Sequence, residues 1–474
     1  MQINRNMSAV IANNQLLGIE GRLSASIERL SSGLKINRAS DNPAGMAISN
    51  KMKAQIDALD QAEANAADGV SVVQIADGAL NEVSSILQRI RELSVQAANG
   101  TNSFDDRQSI QNEVDELVKE VDRISADTEY NTKKLLDGSS NVRVYGENGS
   151  RYQVSDSVDA KIYNLNVESV ATQATVALNY EAPQTSGTLE INGVGVSIDE
   201  NMDKEAYLQA VRNAATEAGC NVEISEDGSQ MLILSDYYGY EEDVTVSMTE
   251  ELAVATGIAN NADCEYVEDE KKYKLHTTGV DAVVSIPNQL EASGFTTTTT
   301  VECTGNRVVV SDNDGFSIDF LLNEDYKPVA DAENGNFEID VTDIGSLTIQ
   351  IGANEYQTMD VRIDEISANT LYLDCVDVAI ENGADRAMNT LDEAIAKVSA
   401  ARSRIGAFQN RLEYAETSLS SSVENITAAY SGLLDTDMAE EMTEYTQQNI
   451  LNQAAISVLS QANELPQQIL SMLQ

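Results

Sequence analysis

The segment LQRIRELSVQAANGTN, residues 87–102, sets Arg89, Arg91 and Glu92 in an otherwise apolar helical stretch. At helical spacing Leu80, Val83, Leu87 and Ile90 form an inner stripe. Arg89, Glu92, Leu93 and Gln96 form a second stripe, read as a surface with Leu93 exposed beside Arg89. On the next helical segment Glu113, Glu116 and Glu120 share one face, so ion pairing is the chemistry on offer. The plain reading is a solvated stripe of weak Arg–Glu pairs; the sharper one is a docking surface, with an arginine as its anchor. Catalysis is poorly supplied. Cys220, Cys264, Cys303 and Cys375 contain no CxxC pair, and His276 is the one histidine. Zinc-type ligand sets and the paired-histidine helix of a metalloprotease cannot be built from them. The cysteines read as scattered, partly buried thiols, with a disulfide among Cys220, Cys264 and Cys303 left open. No catalytic, cofactor-binding or metal-binding residue is assigned, and the chain reads as a non-enzyme without cofactors.

The elements that hold these residues are mostly long helices at the two ends. Leu16, Leu23 and Leu30 recur every seven residues, and Ile27 and Leu34 extend the stripe. Gly33 breaks that helix, and Asn42-Pro43 starts the next, a capping side chain before a proline at the first helical position. Helical patterning then runs to about Asn99, with Asp68-Gly69 as a weak interruption. A further helical segment begins near Asp105, carries Ile110, Val114, Leu117, Val121 and Ile124 as a seam, and is expected to end near Asp137-Gly138. In the C-terminal half Leu391, Val398, Ile405, Leu412, Leu419 and Ile426 lie seven apart. Ile395 and Val423 are expected to fill alternate steps, and Arg402, Gln409 and Glu416 to interrupt them as register-setting polar residues. A last helix from about Thr436 to Leu473 is apolar over a broad arc, with Ile450 and Val458 on one side and Leu451 and Leu459 on a neighbouring one. Such a helix asks for contacts on several faces.

The middle differs. GTLEINGVGVSID reads as a short alternating strand, DKEAYLQAVRNAATEAG as a helix, and CNVEISEDGSQMLILSD as a hairpin turning at Asp227-Gly228. RVVVSDNDGFSIDFLL is another hairpin, and the threonine-rich GFTTTTTVE marks a loop. This is an α+β insertion of one or two units. Each end of the chain has a seam and no partner within itself. The economical fold is therefore mainly α, with N- and C-terminal helices paired in a long coiled-coil-like rod and a strand-rich outer insertion.

Composition agrees. The chain has 474 residues, no Trp and 5 Pro, which suits helices packed along small aliphatic seams. Its net charge of −47 excludes nucleic acid and anionic lipid as natural partners. The charge is −6 over 1–140, −28 over 141–344 and −13 over 345–474, so the middle reads as the solvated outer part. The start, MQINRNMSAVIANN, has no cleavable secretory signal pattern, and no run of about 18 apolar residues is present.

Several long words now fall in order. RLSSGLKINRASDNPAGMAIS, LQRIRELSVQAANGTN and EVDRISADTEYN resemble the N-terminal part of bacterial flagellin. SAARSRIGAFQNRLE, DTDMAEEM and ILNQAAISVLSQANELPQQIL resemble its C-terminal part. The resemblance covers about 1–140 and 345–474. It implies a subunit that polymerises into the flagellar filament for swimming, exported without a cleaved signal through the flagellar type III route to the extracellular filament. Implied partners are further copies of the chain, the export apparatus, an export chaperone at the C-terminal helix, and the filament cap and hook-junction proteins. Implied domains are 1–42 and 431–474 as inner filament core, with Leu16, Leu23, Leu30, Ile450, Val458 and Leu459 packing there. Residues 43–140 and 375–430 are rod helices, 344–374 a rod-associated hairpin, and 141–343 the outer insertion. In enteric-type flagellins the hairpin precedes the variable domains, whereas here IGSLTIQIGANEYQTMDVRIDEIS follows them. The residues matching Gln88, Arg89, Leu93 and Glu113, with Glu92 beside them, form the surface that host Toll-like receptor 5 sees on the free subunit and that a neighbouring subunit covers in the filament. At AAYSGLLDTDMAEE, Tyr430, Gly432 and Leu434 stand where the family has Glu, Arg and Arg, which predicts altered packing at that hinge.

The runner-up is a hook–filament junction protein with flagellin-like termini. Some flagellins carry a metalloprotease in the insertion, which a single histidine cannot supply. The acidic insertion reads first as a solubilising spacer, and second as an adhesive or antigenic surface whose Thr296–Thr300 run permits O-linked glycans.

Overall fold

The computed structural model describes residues 6–155, 157–225, 227–240, 242–260, 264–267, 271–287, 293–296, 298–328, 335–380 and 382–472, and the side chains of 260 and 465–472 are left aside. Its helices are α1 (Met7–Ser32), α2 (Pro43–Ala97), α3 (Phe104–Asp127), α4 (Lys204–Glu217), α5 (Glu250–Ala255), α6 (Gly383–Leu434) and α7 (Met438–Met472). The chain divides into two units. One holds Met1–Gly69, Ile349–Met359 and Arg411–Gln474; the other holds Val70–Thr348 and Asp360–Asn410.

In the first unit, local chemistry sets the helix ends. The Asn6 side chain caps α1, and Gly33 ends it in the left-handed region at φ 74. The Asn42 side chain accepts from the Gly45 amide at 2.9 Å and opens α2, with Pro43 at its first position. Asp437 caps α7 by accepting from the amides of Ala439 and Glu440. Asp68-Gly69 does not interrupt α2, which is continuous. A Cβ at Gly69 would stand 2.6 Å from Ile349 Cδ1 and 3.2 Å from Leu412 Cδ1. The glycine is a notch for two packed side chains rather than a break. Leu59, Ala62 and Ala66 of α2 form a buried cluster with Leu419 of α6, bordered by Val423 and Ile426.

In the second unit, α2, α3 and α6 bury Leu80, Val83, Leu87, Ile90, Val114, Val121, Leu391, Val398 and Ile405. Two seam assignments change. The small steps of α6 between its large residues are the buried Ala394 and Ala401, while Ile395 is half-buried. Arg402 sits at the seam edge and bonds Asp77 of α2 at 3.0 Å. Close helix approach selects alanine at the inner step, and the larger isoleucine moves to the flank. The second change is at the end of α3. The helix stops at Asp127, and Glu129–Tyr130 and Lys133–Lys134 form a tight hairpin through Asn131 (φ 48) and Thr132 (φ 67). Leu135 and Leu136 are buried beyond it, so the apolar pattern continues without a helix.

The strand-rich middle holds two separate cores. Two four-stranded antiparallel sheets enclose the first. Their orders are 283–285, 162–169, 337–341, 144–145 and 300–304, 307–311, 317–322, 149–154. Tyr163, Leu165, Val308, Val310, Ile318, Phe320 and Ile339 fill it. Alternation along the strands puts these residues inside. The second core lies within 174–275 and joins α4 and α5 to a five-stranded and a three-stranded sheet. Here GTLEINGVGVSID is a hairpin, not one strand. Gly187–Ile191 pairs Val194–Ile198 across Asn192 (φ 45) and Gly193 (φ 92), a turn that needs two left-handed residues.

The second core is inserted into the first, and the crossing is tight. Thr172 and Val280 exchange two backbone bonds of 2.9 and 3.2 Å. The Asp281 carboxylate accepts from the amides of Tyr240 and Gly305, both at 2.9 Å. A Cβ at Gly279 would meet the carbonyl oxygens of Gly239 and Thr172 at 2.4 and 2.5 Å. All four cysteines are free thiols, with Cys220 buried. Among the described residues no helix is long and apolar enough to cross a membrane, and no cluster of three metal-ligating side chains occurs.

Candidate functional site

Arg89 and Arg91 lie one step off the buried stripe of α2, so both guanidinium groups reach the surface but in different directions. Arg89 bonds Glu113 of α3 at 2.8 Å and Glu92 at 3.3 Å. Glu113 first, then Glu92, favour its charged form and raise its pKa. Arg91 turns to α6 and meets Asp392 at 2.6 and 3.3 Å, which raises the arginine and lowers the carboxylate. The two arginines therefore tie α2 to two different helices. Glu116 and Glu120 take local partners, Lys119 and Arg123, and do not join the α2 face.

Gln88, Arg89, Glu92 and Glu113 are exposed, as a surface reading requires. Leu93 is not. It is 2 % exposed and belongs to the core, so its expected place beside Arg89 on the surface is corrected. The stripe rule assumes one neighbour, whereas α2 is flanked by both α3 and α6, as the Arg89 and Arg91 bonds show.

The other candidate surface lies on α1 and α7. These helices pair antiparallel. Ala9, Ala12, Leu16, Ile19, Leu23, Ser26 and Leu30 form the covered row of α1. The covered row of α7 is Glu441, Tyr445, Gln448, Asn452, Ala455, Leu459 and Ala462. Leu16, Leu23, Leu30 and Leu459 are thus half-buried within the pair, Ile27 is exposed, and Ile19 and Ser26 join the row unforeseen. Ser26 was illegible because a serine carries no apolar signal.

Apart from Tyr445 and Leu459 the covered row of α7 is small or polar, so most of its large apolar side chains face away. Ile450 is 61 % and Val458 54 % exposed, with Met438, Met442, Leu451 and Ile456 also outside. On α1, Met7, Val10, Ile11 and Leu17 are exposed as well. Aliphatic side chains on this scale stay in water only when something else is meant to cover them.

One buried polar cluster went unnoticed in the sequence. Asp319 accepts from Arg307 at 3.2 and 2.9 Å, from Lys397 of α6 at 2.9 Å, and from the Tyr372 hydroxyl at 3.3 Å. Arg307 and Lys397 also lie over the Tyr372 ring, 4.7 and 5.1 Å from its centre. Burial pushes the Asp319 carboxyl up, but Arg307 and Lys397 outweigh it and hold the pKa below its ordinary value. Every charge here has a partner, so the cluster joins strand Ser317–Leu322 to α6 and offers no free acid, base or nucleophile. Its residues are dispersed over 307–397, and no short motif announces them.

Comparison with known proteins fits the helical surfaces. Residues 3–141 match the bacterial flagellin N-terminal helical region, and 388–473 match the C-terminal helical region. A flagellin of Clostridium tyrobutyricum is 32 % identical over 470 residues, covering 98 % of this chain and all of that protein. The chain belongs to the bacterial flagellins. A flagellin of Salmonella choleraesuis strain SC-B67 is 31 % identical over 508 residues, with 99 % of each chain covered. Among solved structures, FliC from Burkholderia pseudomallei aligns over 72 % of this chain and 99 % of its own, at 19 % identity and a TM-score of 0.24. This flagellin has the family's helical ends around a strand-rich insertion, and it is a structural filament subunit.

Proposed function

We propose that this flagellin assembles by covering the outer faces of α1 and α7 with further copies of itself. The carrying observation is that Met442, Ile450, Leu451, Ile456 and Val458 stand in solvent on a helix whose other face is already paired. Head-to-tail repetition of such a contact builds an open helical filament. In that reading 1–42 and 431–474, with Leu16, Leu23, Leu30, Ile450, Val458 and Leu459, form the inner layer. Residues 43–140, 344–374 and 375–430 form the layer around it, and 141–343 points outward. The charge of −28 over 141–344 supports an outer, solvated position. The chain leaves the cell through the flagellar export apparatus without a cleaved signal, aided by a chaperone on the C-terminal helix. It is placed beneath the filament cap on the hook-junction proteins, and the filament drives swimming.

A second role follows for the free subunit. Gln88, Arg89, Glu92 and Glu113 form an exposed charged surface that a neighbouring subunit covers in the filament and that host Toll-like receptor 5 binds when the subunit is free. Leu93 takes no direct part, being buried.

Seeded polymerisation of the purified chain, imaged by electron microscopy, tests the filament role. Long tubular filaments are expected. Persistent monomer with intact helices would overturn it in favour of a junction protein.

A further inference from the structure

Residues 362–380 cross the second unit with almost no regular structure beyond one short turn at Leu373–Cys375. They are nevertheless buried: Ile363, Ile366, Leu371, Leu373, Val376 and Val378 are each 4 % exposed or less. Irregular backbone inside a core must find hydrogen-bond partners outside itself. A stretch of this length without helix or strand, inside a compact unit, is uncommon and usually has a task. Its partners come from two sides. The rod helix α3 holds it at two places. The Asp122 carboxylate accepts from the Ala368 amide at 2.7 Å. Further along, the Gln111 side chain donates to the Val376 carbonyl at 3.0 Å and accepts from the Val378 amide at 2.7 Å, and Arg107 donates to the Ala379 carbonyl at 2.8 Å.

The strand-rich insertion holds what lies between. Gln153 of the first core donates to the Thr370 carbonyl at 2.9 Å, and Arg151 bonds Asp374 at 3.1 and 2.6 Å. From the second core, the Tyr237 hydroxyl donates to the Cys375 carbonyl at 2.9 Å. Tyr372 sits at the centre of these bonds. Its hydroxyl donates to Asp319 at 3.3 Å, and Arg151, Arg307 and Lys397 lie over its ring, 5.1, 4.7 and 5.1 Å from the centre. It stands in the left-handed region at φ 57, which a tyrosine keeps only where its surroundings enforce it. Lys397 of α6 also donates to Gln153 at 3.0 Å, so the first core, this stretch and α6 meet at one point.

We propose that residues 362–380 are a strap that holds the insertion in one orientation on the rod helices. A solubilising spacer needs only a tether, and the two chain crossings near residues 141 and 344 would supply one. Here α3 grips the strap on either side of the place where the insertion grips it. The insertion cannot turn on the rod without giving up its bonds to Thr370, Asp374 and Cys375 together, along with the packing around Tyr372. It is therefore carried rigidly, and its outer surface is displayed in a fixed direction. This holds for the free subunit, whether or not the chain assembles.

The test uses the full chain with Gln111→Leu, a change on α3 at a side chain that bonds the strap and Asp115 of its own helix. It leaves the Val376 carbonyl and the Val378 amide buried without partners. Hydrogen exchange at the Ala368, Leu373 and Val378 amides is expected to speed up roughly tenfold at all three, because a strap opens as one unit. Release of the insertion is read at a distance, by acetylation of Lys397 with acetic anhydride, mapped by mass spectrometry. Gln153 and Asp319 of the first core hold that amine, so its acetylation is also expected to speed up roughly tenfold. Arg107→Gln loosens the same clasp by a smaller step, about threefold at both readouts, and serves if Gln111→Leu does not fold. Arg91→Ala cuts a link between α2 and α6 away from the strap and is expected to change neither. Faster exchange at Val378 with Lys397 acetylation unchanged would overturn the proposal, since the clasp would then be local. Unchanged exchange at all three amides would overturn it too, as would a like response to Arg91→Ala.

Discussion

Arg91 of α2 and Asp392 of α6 meet at two points, Nε to Oδ1 at 2.6 Å and Nη2 to Oδ2 at 3.3 Å, on an exposed face where water competes for both. The pair is well formed and solvated. Its contribution to stability is small and salt-dependent. Arg91→Ala is expected to leave the thermal midpoint within about 2 °C of the unsubstituted chain at moderate salt. A calorimetric shift several times larger would mean that the pair anchors α6.

Leu93 and Arg89 should separate stability from recognition. Leu93→Ala removes a core side chain and is expected to cost about 2–5 kcal/mol in denaturant unfolding. Arg89→Ala, at an exposed position, is expected to unfold like the unsubstituted chain while weakening receptor and subunit binding. Unchanged receptor affinity in Arg89→Ala would remove the recognition claim.

Gly279 reports on the junction between the two strand cores. Its added Cβ would press on two backbone carbonyls that cannot swing aside. Gly279→Ala is expected to destabilise the insertion by roughly 1–3 kcal/mol. Hydrogen exchange should localise the loosening to Thr172, Gly239 and Val280. Uniform protection at those amides would show that the crossing tolerates the methyl group.

Asp319 gives the insertion a defined response to acid. Its folded pKa lies below the unfolded value, since Arg307 and Lys397 outweigh the burial that pushes it up. Its stabilisation is therefore fully present above the unfolded carboxylate range, near pH 4, and is lost as pH falls through the lower folded value. Asp319→Asn leaves Lys397 without its anion and Arg307 with only the exposed Glu393, and is expected to cost about 3 kcal/mol at pH 7. The deficit should shrink as the pH drops below 4. A deficit that stays constant to pH 2 would show that Asp319 is not titrating in this window.

Much of the helical architecture was legible because it is local. Gly33, Asn42-Pro43 and the seven-residue repeats of α6 act within a turn or two, and the helices begin, end and bury there accordingly. Misreadings arose where a second neighbour intervened. Leu93 was assigned to the surface because a stripe rule sees one packing partner. Ile395 was preferred to Ala394 and Ala401 because size signals a seam better than smallness does, yet close helix approach rewards smallness. Gly69 read as a break because its value lies in what it leaves room for, Ile349 and Leu412, which are hundreds of residues away in sequence.

The sequence by itself determined the family, the helical ends, the strand-rich middle and the apolar character of α7, since these rest on residue type and short-range period. Only the tertiary structure decided which side of α7 meets α1. A helix apolar over a broad arc has no preferred face of its own. The backbone bonds of Gly33 with Thr436 and of Lys35 with Leu434, with Glu441 held beside Arg29, turn Gln448 and Ala455 inward and leave Ile450 and Val458 outside. That rotation is fixed by contacts between residues more than 400 apart in the chain, such as Leu34 with Asp435 and Arg29 with Glu441, and no local pattern encodes it.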